Sequence, residues 1–287
     1  MHAPGSRCAR GRRAAPAAGL VAAPAHHRRR RLAPSLLAAL IAVGAAMLGA
    51  SPALAAWDTS NQHQLVPAYA YPDAASTPSD WYRLCDAMNV SGGPSTAVIN
   101  PASGPGAAVN PDYQRVIDYC HARGQRIVGY VHTSYGARPA ADVIADIDAY
   151  YRFYPGIDGI FLDEMSNDAA TAPYYRSLYD DIKARAGTRD VVGNPGTAAS
   201  SAWQLDTPVA DQVVVFEGTA ADYLSWSPPS WVLGKAASQI SNLVHSASGA
   251  TDIGQVCAAS KSRNAGYVYV TGDALPNPWD TLPVVAC

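Results

Sequence analysis

Gly159-Ile160-Phe161-Leu162-Asp163-Glu164 is an apolar run that ends on two carboxylates, and Val213-Val214-Val215-Phe216-Glu217-Gly218 repeats the arrangement later in the chain. Glu164 and Glu217 are the only glutamates among 287 residues, the other 21 acidic residues being aspartates. Glutamate is ordinarily one of the commonest residues. Here it is confined to places where a buried strand gives way to a loop, and barrel enzymes keep their catalytic acids in such places.

Outward from these two runs, strand-like and helix-like stretches alternate. Residues 65–71, 96–100, 126–132, 157–164, 190–194, 212–217, 239–244 and 267–271 read as eight strands. Helices are predicted over 77–88, with Thr77 as N-cap and Pro78 in first position, and over 111–123, capped by Asn110 and stopped by Gly124. Others are predicted over 139–154, where Val143, Ile144, Ile147 and Tyr151 keep close to helical spacing, over 173–186, and over 252–264. Shorter helical pieces are expected at 200–205 and 220–226. The strands are nearly continuous apolar runs, as expected when a parallel sheet is covered on both faces. No GxGxxG follows the first strand, which weighs against a doubly wound open sheet. The expected fold is α/β, a single-domain (β/α)8 TIM barrel over residues 56–287.

Residues 1–55 read as a leader. Arg28-Arg29-Arg30-Arg31 is a basic start, residues 36–48 are apolar, and Ala53-Leu54-Ala55 is a small-residue cleavage signal with Ala56 as the first mature residue. The apolar stretch is shorter than the ~20 residues a membrane span needs. A secreted, extracellular protein is expected, with no membrane attachment once the leader is removed. The leader holds eight of the 21 basic residues and no acid. The mature chain therefore has 13 basic against 23 acidic residues, a net charge of −10. Such a surface repels nucleic acid and acidic polysaccharides and suits a neutral or cationic partner.

Cys8 lies in the leader, leaving Cys85, Cys120, Cys257 and Cys287. An even count in an exported chain reads as two disulfides, which admit three pairings. Cys85–Cys120 with Cys257–Cys287 is favoured because each bridge joins neighbours in the expected element order. No CxxC, HxxxH or HExxH accompanies Asp163, Glu164 and His132, so neither a metal site nor a cofactor is expected.

In a barrel the C-terminal strand ends share one rim. That rim gathers Tyr69, Tyr71, Asn100, Tyr130, His132, Asp163, Glu164, Asn194, Glu217 and Tyr269, with Trp226 as a further platform from a nearby loop. Carboxylates, amides and aromatic rings together suit a sugar. The fourth and sixth strands stand ~10 Å apart at the wall, at ~4.8 Å per neighbour. Their inward side chains then bring Asp163 or Glu164 and Glu217 within the ~5–9.5 Å that separates the carboxyl pairs of glycosidases, the shorter spacing giving retention and the longer inversion.

The chain resembles the spherulin 4-like proteins. The resemblance rests on 65–72 (LVPAYAYP), Val98-Ile99-Asn100-Pro101, Gly129-Tyr130-Val131-His132-Thr133, 158–164 (DGIFLDE), Gly193-Asn194-Pro195-Gly196 and Phe216-Glu217, in that order along nearly the whole mature chain. The family includes a secreted fungal glycoside hydrolase acting on galactosaminogalactan. The resemblance implies a (β/α)8 barrel and an endo-acting hydrolase of polysaccharide containing α-1,4-linked N-acetylgalactosamine. It also implies that Asp163 is the nucleophile, Glu217 the acid/base and Glu164 a supporting residue. The expected partner is thus an amino-sugar polymer, and the expected state a monomer. A non-catalytic carbohydrate-binding or cell-wall protein on the same scaffold is the competing expectation, since barrels can keep their rim and lose activity.

Overall fold

The computed structural model describes residues 62–72, 80–88, 94–281 and 287. The leader, its cleavage site, Ala56, and the helix start at Thr77 and Pro78 lie outside the described residues.

Eight parallel strands follow one another around a barrel: β1 (Leu65–Pro67), β2 (Thr96–Ile99), β3 (Arg126–His132), β4 (Gly159–Asp163), β5 (Asp190–Gly193), β6 (Gln212–Thr219), β7 (Ile240–His245) and β8 (Tyr267–Val270). Helices alternate with them as α1 (Asp80–Ala87), α2 (Pro111–His121), α3 (Ala140–Phe153), α4 (Ala172–Lys183), α5 (Trp203–Asp206), α6 (Ala220–Ser225), α7 (Ser230–Leu233) and α8 (Gly249–Ser262). The seam closes through one parallel bridge: the His63 N–H donates to the Gly266 carbonyl (3.1 Å) and the Val268 N–H to the His63 carbonyl (3.0 Å). This is the expected (β/α)8 barrel. Among the described residues, no helix is long and apolar enough to cross a membrane.

Burial explains why the strands read as apolar runs. β2, β7 and the first four residues of β4 are buried throughout, with one side of each strand toward the barrel axis and the other toward the helices. The packing is close enough to exclude side chains in places. At Gly129 in β3, a Cβ would fall 2.6 Å from the ring of Tyr150, which α3 lays against the strand. At the opposite end of the barrel from the rim, aspartates just before β4 and β6 tie neighbouring strands together. Asp158 accepts from the Ile127 N–H and from His121, both at 2.8 Å, and Asp211 accepts from the Val191 N–H at 2.8 Å.

Several ends differ from expectation for local reasons. β1 stops at Pro67, because the Tyr69 N–H leaves the sheet to donate to the Trp279 carbonyl (3.1 Å). β6 runs on to Thr219, since Gly218 and Thr219 still pair with Val244 and His245, and it carries a register shift between Val214 and Phe216. α2 begins where Asn110 predicts, its side chain accepting from the Asp112 N–H; a cap of this kind contributes about 1 kcal/mol. α8 starts earlier than expected, at Gly249; just before it the Ser248 N–H and hydroxyl both donate to Asp252. α7 was not expected at all.

Both favoured disulfides are present. Cys85–Cys120 fastens α1 to α2, and Cys257–Cys287 fastens α8 to the end of the chain, each with 5.0 Å between Cα atoms.

Candidate active site

β4, β5 and β6 deliver the centre of the site. Asp163 is the last residue of β4, Asn194 follows β5, and Glu217 lies beyond the bulge of β6. An added residue in a strand turns everything after it relative to its partner. The β5–β6 loop folds back over that irregular stretch: the Glu217 N–H donates to the Gly196 carbonyl (2.7 Å), and Thr197 forms an antiparallel bridge with Phe216. Gly196 holds φ +69°, and a Cβ there would lie 3.8 Å from that of Glu217. The turn needs the glycine for its conformation more than for its space.

Asn194 joins the two strands chemically. Its side-chain nitrogen donates to Asp163 Oδ1 and to Glu217 Oε2, each at 2.8 Å, and its side-chain oxygen accepts from the Gly196 N–H at 2.9 Å. The acceptor role toward Gly196 fixes which end of the amide is nitrogen. Both amide hydrogens are committed, and Asn194 is buried.

Burial dominates the electrostatics. It raises the Asp163 pKa, against hydrogen bonds from Tyr130, Asn194 and the Glu164 N–H that favour the ionised form. Burial also raises the Glu217 pKa; the Asp163 charge adds to the rise, while Asn194 and Trp279 oppose it. Tyr69 stands edge-on to Tyr130 (5.6 Å between ring centres), and burial together with the Asp163 carboxylate keeps its hydroxyl protonated.

The family model for spherulation-specific family 4 matches residues 64–285. The chain belongs to that family. It is 37% identical over 219 residues to spherulin-4 of Physarum polycephalum, a match covering 73% of this chain and 63% of the relative, so the chain spans less than two thirds of that protein's length. Among solved structures it is similar to Aspergillus clavatus Sph3, crystallised in complex with GalNAc, with 27% identity and a TM-score of 0.61 over 77% of this chain and 93% of that one.

Around the central three residues of this family 4 barrel, the other rim positions divide. Tyr69 and Tyr130 stand with the carboxylates. Glu164 turns away from Asp163, with φ +52°; its side chain is half-exposed and lies 3.8 Å from His132 Nδ1, which also meets the Ser134 hydroxyl at 3.3 Å. Asn100 serves its own loop by accepting from the Gly104 N–H (2.9 Å). Tyr71 is exposed, but its hydroxyl is held by Asp112 (2.7 Å) and Asn110.

Two positions stand apart from the carboxylates. Trp226 packs against Phe216, Tyr223 and Arg263, between β6 and the helices. Tyr269 is buried, with its hydroxyl on the Thr281 carbonyl and its ring against Trp279.

Trp279 is the residue that sequence reasoning passed over. It leaves the loop after β8, crosses the seam so that its carbonyl accepts from the Tyr69 N–H, stands edge-on to His245 (5.9 Å) and lies close enough to Glu217 to favour its ionised form. Its place in the loop after the eighth strand was the available signal, but a Pro-rich loop gives no period from which to tell its direction.

Proposed function

We propose that this family 4 protein is an exported glycoside hydrolase that cuts within a polysaccharide containing α-1,4-linked N-acetylgalactosamine, with retention of configuration. One observation carries the reading: a single amide, Asn194, donates to both Asp163 and Glu217. The two oxygens it holds, Asp163 Oδ1 and Glu217 Oε2, each 2.8 Å from one nitrogen, stand no more than about 5.6 Å apart, so the two carboxyl groups are close neighbours. Carboxyl pairs that retain configuration stand ~5–5.5 Å apart, whereas inverting pairs need ~6.5–9.5 Å to admit a water.

The environments support the division of labour. Asn194, the nearby Tyr130 hydroxyl and the Glu164 N–H favour the charged form of Asp163 against burial and the Glu164 charge, and it is the group better suited to stay ionised. Asn194 and the nearby Trp279 favour the charged form of Glu217 against burial and the Asp163 charge, and with fewer such groups around it Glu217 is better suited to hold a proton. Asn194 occupies Oε2, which leaves Oε1 to carry that proton. Glu217 gives it to the glycosidic oxygen as the bond to the anomeric carbon breaks, and Asp163 forms a covalent bond to that carbon. Glu217, now ionised, takes a proton from water, which displaces Asp163 and regenerates both groups. Glu164 shapes the site beside Asp163 without entering the bridge.

The substrate class is supported by Sph3, the relative solved with GalNAc, and by a mature net charge of −10, which disfavours acidic polymers. Export is supported by the leader's pattern and the two disulfides.

The test is incubation with α-1,4-linked N-acetylgalactosamine polymer, with mass spectrometry of the products and NMR of the newly formed anomeric centre. Asp163→Asn and Glu217→Gln are expected to abolish release of reducing ends with unchanged circular dichroism. Full activity in either variant sinks the assignment, and initial release of the inverted anomer sinks retention.

A further inference from the structure

Between β3 and α3 the chain makes a single turn of left-handed backbone. Ser134, Tyr135 and Gly136 hold φ of +48°, +55° and +84° in succession. Left-handed conformation crowds the Cβ of an ordinary side chain, and only glycine adopts it freely. Two such residues side by side persist only where their surroundings over-determine them.

The surroundings of this turn do so. Thr133 is completely buried, and its hydroxyl reaches the Asp163 carbonyl (3.0 Å), the Glu164 carbonyl (2.8 Å) and the Tyr175 hydroxyl (2.9 Å). Its own carbonyl accepts from the Gly136 N–H (3.0 Å) and the Arg138 N–H (3.2 Å). The Tyr135 N–H donates to the Glu164 carbonyl at 2.7 Å. The turn is thus bolted to the two residues that end β4, one of them Asp163.

What this braced turn presents is an unengaged aromatic ring. Tyr135 is 64% exposed, and among the described residues its side chain has no hydrogen bond, ion pair or ring contact. Tyr71, the other exposed rim tyrosine, differs in both respects, since its hydroxyl is held by Asp112 and its ring stands edge-on to Tyr113. A loop that needed only to turn would be served by glycine or asparagine at position 135. Strain, bracing and an idle ring together indicate that the side chain itself is used.

We propose that Tyr135 is a stacking platform for a sugar unit next to the one being cleaved, on the Asp163–Glu164 side of the site. An aromatic face and a pyranose ring bury apolar C–H surface against each other, with the tyrosine hydroxyl left free for a sugar hydroxyl. The half-exposed Glu164 carboxylate and His132 ring, fixed to the same turn, border the position and offer polar contacts to that unit. This subsite rests on the polysaccharide reading above, and it gives that reading a structural reason for preferring chains over single sugars.

The test uses an α-1,4-linked N-acetylgalactosamine hexasaccharide and the full protein carrying Glu217→Gln, so that binding is measured without turnover. Adding Tyr135→Ala is expected to weaken binding about fivefold to tenfold. Tyr135→Phe, which keeps the ring, is expected to stay within about twofold of the parent by the same measure. Tyr135→Gly relieves the left-handed strain, so it keeps the fold and must lose binding as the alanine variant does. Equal affinity in the parent, alanine and glycine proteins overturns the platform, as does failure of all of them to bind. Loss of binding in the alanine and glycine variants, beside a wild type that releases no reducing ends, supports the platform and overturns the hydrolase reading alone.

Discussion

Asn194 donates to Glu217 Oε2 across 2.8 Å, and the same nitrogen donates to Asp163. These bonds favour the ionised form of both carboxyls, against a burial that favours the neutral form of both. Asn194→Ala removes the opposing contribution from each, so both pKa values rise further. Both limbs of the pH–rate profile are therefore expected to move to higher pH together. Loss of the fixed separation is expected to lower kcat/KM by about 10²-fold, the scale on which small misplacements act. A profile that falls in height without moving would assign Asn194 a packing role only.

The Asp163–Glu217 carboxyl pair is expected to cost stability. Folding raises the Glu217 pKa, chiefly by burial. A carboxyl with a raised folded pKa contributes its full stability below its unfolded value, and loses it as pH rises through the folded one. Glu217→Gln is therefore expected to melt above wild type at pH 7. The gap should close below about pH 4, where the unfolded carboxyl is also protonated. Thermal melts across that range decide it, and a variant less stable than wild type at pH 7 would refute the sign.

At the far end of the barrel the sign is the same but the group is basic. His121, near the end of α2, meets Asp158 at 2.8 Å, and this bond raises its pKa against partial burial. The pair should stabilise the fold fully below about pH 6.5, the ordinary histidine value, and lose that stabilisation as pH rises through the raised folded pKa. His121→Asn is expected to flatten this slope above about pH 6.5. Asp158 also holds the Ile127 N–H, so Asp158→Asn is expected to destabilise at every pH.

Close packing of α3 on β3 makes Gly129 intolerant of any side chain. A Cβ there meets the Tyr150 ring, whose hydroxyl is fixed to the Ile99 carbonyl at 3.2 Å and cannot easily withdraw. Gly129→Ala is expected to cost about 1–3 kcal/mol, as overpacking does. At about 2–4 °C per kcal/mol for a domain of this size, that is a fall of several degrees in Tm. An unchanged melting curve would mean that α3 shifts freely, and that the helix layer is looser than its burial indicates.

The amino-acid sequence by itself determined the barrel and the strand ends that make its rim. Continuous apolar runs, regularly interrupted by helical pattern, can satisfy their burial in few ways besides a parallel barrel, and a strand's end is visible where apolar residues give way to polar ones. Cys85–Cys120 and Cys257–Cys287 followed from the order of elements alone. Direction was decided only by the tertiary structure. Asp163 and Glu164 are neighbours in sequence, but a left-handed residue at 164 parts their side chains. Trp226 and Trp279 both lie in loops, yet one packs under the helices and the other reaches Glu217. The bulge in β6, the Asn194 bridge and the left-handed turn at Tyr135 arise from contacts between residues far apart in the chain. No local period records such contacts, because their free energy comes from neighbours that only folding supplies.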